Sequence, residues 1–298
     1  MEDKQKEHLP TLIKSLNFQQ RTKKVLLLIE TSSMFGRDLI RGISRYAKIH
    51  GPWMFYTGLT GLESGVAGIT RVIPPSRDIE VEGIIMRELK NSEYLLKLEL
   101  PIVFCGQKHE KLPNIPCIIT DSEAIAKMAA DYFIEKKFTN FAYCGFRDLP
   151  WSHERAEAFS AIVQKNGYKA EIYESSGNTI SKFWKKEQND LAEWIKSLKK
   201  PVAIMACNDI RARHLLEVCK LINTQIPEEV AILGVDNDDI LCELADTPIS
   251  SIALNVERVG YEAAEILDRL MLGVNLENDV VIISPVRIIT RKSTDCTA

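Results

Sequence analysis

Two apolar runs in the second half of the chain end in asparagine and aspartate side chains. They read AIMACND at 203–209 and AILGVDND at 231–238. Continuous apolar runs are typical of buried parallel strands, and ligands of open α/β sheets bind just past the carboxyl ends of such strands. Carboxylates accept hydrogen bonds from hydroxyl groups, and amides both accept and donate them. Asn208, Asp209 and Asp236 therefore predict a site for a small, hydroxyl-rich molecule.

Similar polar and aromatic residues follow other predicted strands. Arg87, for example, follows the third predicted strand. Arginine can donate to the same hydroxyl groups, and aromatic rings offer flat apolar faces to the C–H side of a sugar ring. If all these strand ends face one cleft, the candidate ligand-binding residues are Ser33, Phe35, Arg37, Asp121, Trp151, Arg155, Asn208, Asp209 and Asp236.

Each candidate also has a purely structural interpretation. Asp121 and Asp209 could cap the helices that follow them. Arg155 could be a solvated charge on a helix surface, and Phe35 and Trp151 could belong to the hydrophobic core. The sequence leaves both interpretations open.

Motifs of catalysis and metal binding are missing from the sequence. There is no phosphate-binding loop, no G-x-G-x-x-G, no G-x-S-x-G and no H-E-x-x-H. No histidine, cysteine or acid spacing fits a metal centre, so no cofactor is predicted. Asp121 and Asp236 could still form a glycosidase pair. Of the acids Asp236, Asp238 and Asp239, we expect one to turn inward and the others to be solvated.

Apolar stretches and amphipathic helical patterns alternate along the chain. This alternation predicts an α/β fold with two doubly wound parallel-sheet lobes, a multi-strand hinge and a ligand cleft between them. Strands are expected at 25–29, 53–57, 83–86, 101–105, 117–120, 141–144, 170–173, 202–206, 230–235, 280–283 and 286–290, with an extended segment at 252–255. Helices are expected at 38–50, 122–136, 154–166, 185–199, 210–221 and 257–272.

The order of these elements suggests that the chain crosses between the lobes more than once. The expected segments are a leader at 1–23, a first lobe of 24–137 plus 254–283, a second lobe of 138–253 plus 284–292, and the start of a linker at 293–298.

Composition favours an ordinary globular protein. The 298 residues carry a formal net charge of -3, so they are not expected to bind nucleic acid by themselves. The seven cysteines are widely spaced and suit a reducing compartment. The N-terminus lacks the apolar core of a signal peptide, and no apolar run is long enough to span a membrane. A cytoplasmic location is expected.

Five segments resemble the effector-binding domain of the xylose-operon regulators, which belong to the lac-repressor/periplasmic-binding-protein group. They are VLLLIETSSMFGRDLIRGISRYA, CNDIRARHLLEVC, IPEEVAILGVDND, PISSIALNVERVGYEAAEILDRLM and PVRIITRKSTD. The resemblance covers about 24–295 and implies ligand-contacting roles for several candidates. Ser33 and Arg37 match the first ligand loop, and Asp121 matches a ligand-contacting acid. Arg155, Asn208, Asp209 and Asp236 match the group's sugar-holding arginine, its Asn/Asp strand tip and its last ligand acid.

The resemblance also implies a function and partners. It implies a sugar-sensing domain that works as a homodimer and reaches DNA only through an arabinose-regulator-type domain following RKSTD. Departures from the xylose regulators at 30–33 and 146–151 leave the sugar open among pentoses and hexoses. The alternatives are a stand-alone sugar-binding protein and a sugar-processing enzyme.

Overall fold

The fold contains two sheets whose strands are mostly parallel. The computed structural model describes residues 21–57, 81–87, 95–106, 115–176, 180–276 and 280–295. The strands in these residues are β1 Lys23–Leu28, β2 Trp53–Thr57, β3 Gly83–Met86, β4 Ile102–Gly106, β5 Cys117–Thr120, β6 Phe141–Phe146, β7 Ala170–Ser175, β8 Val202–Ala206, β9 Val230–Asp236, β10 Ser250–Ala253, β11 Val280–Ile283 and β12 Arg287–Ile289. The helices are α1 Met34–His50, α2 Ser122–Glu135, α3 Pro150–Lys165, α4 Ile180–Ser197, α5 Asp209–Leu221, α6 Asp239–Leu244 and α7 Val256–Met271, and a 3-10 turn spans Leu95–Leu98.

Each lobe contains one six-stranded sheet among the described residues. The first sheet has the order β11-β5-β4-β3-β1-β2, and the second has the order β12-β10-β9-β8-β6-β7. All neighbouring strands run parallel except β12, which is antiparallel to β10. The strands are parallel because a helix or loop crossover returns the chain to the same end of the sheet each time. The fold class expected from the sequence is confirmed.

Helix α7 returns the chain from the second lobe to the first. Its backbone approaches that of α1 at two glycines, Gly42 of α1 and Gly260 of α7. A Cβ atom on Gly42 would lie 1.9 Å from the carbonyl oxygen of Glu257, and one on Gly260 would lie 2.0 Å from that of Leu39. The close approach lets α1 and α7 pack together over the buried face of the first sheet.

Two features differ from the expected lobe boundaries. Helix α2 packs its Ala129 and Phe133 against Phe141 and Phe159, in the core of the second lobe. The chain therefore leaves the first lobe near Asp121 rather than at 137. Residues 293–294 are buried against the second sheet rather than forming the start of a linker. Residues 1–20 of the predicted leader at 1–23 lie outside the described residues, as do residues 296–298, whereas Lys23 already belongs to β1.

Several helices begin earlier than the apolar periodicity indicates. Helix α1 starts at Met34 rather than Asp38, because the Ser33 side chain accepts a hydrogen bond from the backbone N–H of Gly36 and caps the first turn. Helix α3 starts at Pro150, a residue suited to a first turn. The short helix α6 was not predicted. Phe35, Arg37 and Trp151 thus lie in first turns of helices rather than in loops.

None of the helices in the described ranges has the length and apolar character needed to cross a membrane.

Candidate functional site

The loop after β1 is organised around the carboxylate of Glu30. This carboxylate accepts hydrogen bonds from the backbone N–H groups of Ser32 (2.9 Å) and Ser33 (3.2 Å) and from both hydroxyl groups. The Nη1 of Arg37 donates to the carbonyl oxygens of Thr31 (3.0 Å) and Ser32 (2.8 Å). Ser33 and Arg37 therefore shape the loop, and their contact with a ligand stays a prediction.

Arg87 connects this loop to the end of β3. Its Nη1 donates to Glu30 Oε1 at 3.3 Å, and its guanidinium lies 4.0 Å from the centre of the Phe35 ring. Burial raises the pKa of Glu30, but hydrogen bonds from Ser32 and Ser33 and the charge of Arg87 outweigh it and lower that pKa. The ionised Glu30 and the covered ring face hold the Arg87 guanidinium in place. Phe35 itself is buried in the core of the first lobe, so the core interpretation is confirmed for it.

Asp121 lies where the chain passes from the first lobe to the second. Its Oδ1 accepts a hydrogen bond from the backbone N–H of Ala124 at 2.9 Å, which confirms that it caps α2. Its Oδ2 accepts from the hydroxyl of Ser284 at 3.4 Å, on the loop that follows β11. Asp121 thus joins two of the segments that connect the lobes. A direct role in ligand binding stays a prediction.

Arg155 is buried on the first turns of α3, so the interpretation as a solvated charge is wrong. Only 3% of the residue is exposed. Its Nη1 donates to the carbonyl oxygen of Cys207 at 2.6 Å, and its guanidinium lies 5.0 Å from the centre of the Trp151 ring. Its Nε is buried and has no hydrogen-bond partner in the part of the chain that the structure describes. Trp151 is partly buried and packs against the core of the second lobe.

Asn208 and Asp209 have different positions at the end of β8. Asn208 is the cap of α5, since its Oδ1 accepts from the backbone N–H of Arg211 at 2.9 Å. Asp209 is the first residue of that helix rather than its cap, and it is 1% exposed. Its Oδ1 accepts from the hydroxyl of Ser251 at 2.6 Å, and its Oδ2 accepts from the backbone N–H of Asp238 at 2.7 Å. Both carboxylate oxygens are thus engaged inside the second lobe.

The protonation of Asp209 reflects this burial. Desolvation, reinforced by the charge of Asp236, raises the pKa of Asp209 to about 8, although hydrogen bonds from Ser251 and Asp238 lower it. Asp209 braces the turn that follows β9, and its position argues against direct contact with a ligand.

The turn after β9 has an unusual backbone. Asp236 has a φ of 105° and Asn237 has a φ of 53°. Residues other than glycine adopt such values only when their surroundings impose them, at a cost of roughly 1–3 kcal/mol each. The backbone N–H of Asn237 donates to the Ser251 hydroxyl at 3.0 Å, next to the bond between Asp209 and Asp238. The neighbouring side chains therefore impose a strained turn that directs Asp236.

The carboxylate of Asp236 lies in the field of two arginines from different lobes. Burial raises its pKa to about 6, and the charge of Asp238 adds to this rise. The charges of Arg155 in the second lobe and Arg87 in the first lobe act in the opposite direction. Within the described chain these groups act on Asp236 through their charge, and not through a hydrogen bond. A direct contact between Asp236 and a ligand stays a prediction.

Asp238 brings the two lobes together beside this carboxylate. Its Oδ1 accepts from the backbone N–H of Leu241 at 3.3 Å and so caps α6. Its Oδ2 accepts from the backbone N–H of Met34, at the start of α1, at 3.4 Å. Of the three acids in this run, Asp239 is exposed, whereas Asp236 is partly buried and Asp238 is buried. The expectation that only one would turn inward was wrong.

The site as a whole combines acids, guanidinium groups and aromatic rings, and the described residues hold no cluster of histidine, cysteine and acid side chains suited to a metal ion. Asp236 is coupled through charge to Arg155 and Arg87, and the Arg155 guanidinium lies 5.0 Å from the centre of the Trp151 ring. Sequence reasoning noted Arg87 at a strand end but did not select it. The signal was available, because Arg87 follows β3 directly, as Asp236 ends β9.

Comparison with known proteins gives the family. Residues 130–294 match the periplasmic binding protein-like domain. The Xylose operon regulatory protein of Haemophilus influenzae is 30% identical over 281 residues, which cover 91% of this chain and 70% of that protein. The protein of the same name from Escherichia coli strain K12 is 28% identical over a match that covers 91% of this chain and 69% of that protein. The chain belongs to the periplasmic binding protein-like family, as the sequence predicted.

A solved structure supports the same conclusion. The structure described as the xylose-binding transcription activator xylR superposes with a TM-score of 0.77 at 25% identity, covering 94% of this chain and 71% of that chain. These three relatives are named as regulators rather than as enzymes.

Proposed function

We propose that this chain is the sugar-sensing effector domain of a bacterial transcription regulator. The observation that carries the proposal is the Asp236 carboxylate, which lies on a strained turn, is influenced by the charges of Arg87 and Arg155, and makes no hydrogen bond within the described chain. A partly buried acid with unused acceptors is open to hydrogen bonds from a ligand that supplies donors. Adjacent sugar hydroxyl groups supply two donors at the spacing of a carboxylate.

The arginines complete the binding chemistry. Guanidinium groups can donate hydrogen bonds to the ring oxygen and to the hydroxyl oxygens of a sugar. The Arg87 guanidinium lies on the Phe35 ring and the Arg155 guanidinium lies on the Trp151 ring, and these contacts orient them. The Oδ1 of Asn208 caps α5, which leaves its amide NH2 group to donate to the same ligand.

Ligand binding at this position favours closure of the lobes. A sugar that contacts Arg87 in the first lobe and Asp236 in the second is bound more tightly when the lobes are close together. Only such a difference in affinity between open and closed states shifts their populations. As the resemblance implies, closure would reposition DNA-binding units of a further domain across a homodimer, in the cytoplasm.

A pentose is the first ligand to test. The relatives from Haemophilus influenzae and Escherichia coli are named for the xylose operon, and the solved neighbour is described as xylose-binding. Because the loop at 30–33 departs from the xylose regulators, other pentoses and hexoses should be tested as well.

Isothermal titration calorimetry of the chain against D-xylose and a panel of pentoses and hexoses tests the proposal. At least one sugar should bind, and Asp236→Asn should weaken that binding at least tenfold, since a hydrogen bond to a charged group contributes about 1.5–3 kcal/mol. Asp239→Asn is the matched control, because Asp239 is a neighbouring but exposed acid. Absence of heat with every sugar, or equal affinity in the Asp236 variant, would overturn the proposal.

A further inference from the structure

Arg291 contacts the strained turn at 236–238. The Nη1 of Arg291 donates to the side-chain oxygen of Asn237 at 3.0 Å and to the carbonyl oxygen of Ile249 at 2.9 Å. Its Nε pairs with Glu243 at 2.7 Å. The Arg291 side chain is only 12% exposed, whereas that of Glu243 is 63% exposed. The contact with Asn237 is thus the sheltered one.

The main chain around Arg291 is fixed by a network of hydroxyl groups. The backbone N–H of Arg291 donates to the hydroxyl of Ser250 at 2.7 Å. The Ser293 hydroxyl donates to the carbonyl oxygen of Ile232 at 2.6 Å and accepts from the backbone N–H of Ser250 at 2.8 Å. The Thr294 hydroxyl lies 2.7 Å from that of Ser250. Residues 291–294 are therefore docked on β9 and β10, and the guanidinium starts from a fixed position.

Arg291 supplies one of several restraints on the turn. Ser251 accepts from the backbone N–H of Asn237, and Asp209 accepts from that of Asp238. Both of these partners belong to the body of the second lobe. Arg291 comes instead from the segment that follows β12, and it acts on the Asn237 side chain. Two successive residues keep positive φ values only where their surroundings hold them in place. Loss of one restraint should therefore change the orientation of Asp236.

We propose that Arg291 is a positioning residue for the sugar site: it fixes Asn237 and, through the strained turn, the direction of the Asp236 carboxylate. The inference rests on the proposed function, since it concerns the same site. It adds that the segment 291–294 and the bound sugar stabilise one another, because coupling between two sites is reciprocal.

A double-mutant cycle tests this role in binding. Arg291→Gln and Asn237→Ala are each expected to weaken binding of the tightest-binding sugar by about tenfold. The double variant should bind no more weakly than Arg291→Gln, because the contact that Asn237→Ala removes is already lost in that variant. Glu243→Ala is the control, since it removes the exposed pair and leaves Asn237 in place; its affinity should match the wild type. The melting temperature of each variant is recorded as well. A merely structural role for Arg291 would lower the melting temperature without selectively lowering the affinity for sugar.

Amide hydrogen exchange provides a test that needs no sugar. In the ligand-free protein, Arg291→Gln should speed exchange at the backbone N–H groups of Asn237 and Asp238 relative to Glu243→Ala. Equal exchange in the two variants would overturn the positioning role, whether or not a sugar binds. A wild type that binds no sugar contradicts the proposed function instead. Additive losses of affinity in the double variant would also overturn the inference.

Discussion

The carboxylate of Asp209 occupies the space that a side chain at Gly234 would need. A Cβ atom on Gly234 would lie 2.1 Å from Asp209 Oδ1. Gly234 is paired with Ser251 across β9 and β10, and Ser251 donates to that same oxygen. Because Gly234 on β9 has no side chain, the buried Asp209 of α5 can reach the turn that contains Asp236.

This relationship predicts the effect of Gly234→Ala. The added methyl group displaces Asp209, which releases the backbone N–H of Asp238 and the Ser251 hydroxyl. Overpacking of this kind costs about 1–3 kcal/mol, and loss of the buried hydrogen bonds adds to it. We expect a lower free energy of unfolding in urea and, in the protein that remains folded, weaker sugar binding by calorimetry. Unchanged stability together with unchanged affinity would show that Asp209 does not depend on Gly234.

The affinity for sugar should depend on the ionisation of Asp236. Its pKa is raised to about 6. In the proposed function, the carboxylate form is the one that accepts hydrogen bonds from the sugar hydroxyl groups. Affinity should therefore be constant above about pH 7 and should fall below pH 6, approaching tenfold per pH unit. In Asp236→Asn the weak residual binding should lose this dependence. Calorimetric titrations between about pH 5 and 8 measure it, and a wild-type affinity independent of pH would contradict the assignment.

Removal of the Arg155 charge should shift that pH dependence. The charge of Arg155 lowers the pKa of Asp236, so Arg155→Met should move the midpoint of the binding curve to higher pH as well as weaken binding. Arg258→Met is a suitable control, because Arg258 is exposed on α7 and pairs only with its helical neighbour Glu262 among the described residues. A midpoint that is the same in the two variants would indicate that Arg155 and Asp236 do not interact.

Asp209 should make the protein less stable as the pH rises. Its pKa in the folded state is about 8, above the ordinary value of 3.8, so the folded state holds more protons between these values. The stability this provides is complete below pH 3.8 and is lost as the pH rises through 8. Asp209→Asn is neutral at every pH, so the free energy of unfolding of the wild type should fall relative to the variant between about pH 5 and 9. Parallel curves in urea denaturation would contradict this prediction.

The crossing of α1 and α7 should be intolerant of a single methyl group. Gly42→Ala places a Cβ atom against the carbonyl oxygen of Glu257, and the two backbones must separate. We expect a loss of about 1–3 kcal/mol or more in the free energy of unfolding. Arg45→Ala, on the exposed side of the same helix, should have little effect. Equal stability of the two variants in thermal or urea denaturation would contradict the close packing.

Much of the fold followed from local patterns. The continuous apolar runs of β8 and β9 are recognisable because both of their faces are buried, and the strand tips at Asn208 and Asp236 follow directly from them. Helix starts were harder to predict, since Ser33 and Pro150 begin helices before the apolar periodicity becomes visible. The placement of α2 in the second lobe depends on aromatic contacts that no local pattern encodes.

Within the site, residue types were more predictable than their roles. Asp209 carries the same signal as Asn208, yet its oxygens are engaged by Ser251 and the backbone of Asp238. Arg291 acts on Asn237 from 54 residues away along the chain, and a contact of that kind has no sequence pattern.

A crystal structure of the chain grown with its tightest-binding sugar tests most directly whether the sugar contacts Arg87, Arg155 and Asp236. We expect two sugar hydroxyl groups within hydrogen-bonding distance of the Asp236 carboxylate, with guanidinium donors from both lobes on the same molecule. A sugar bound elsewhere, or one that leaves Asp236 without a contact, would contradict the proposed site.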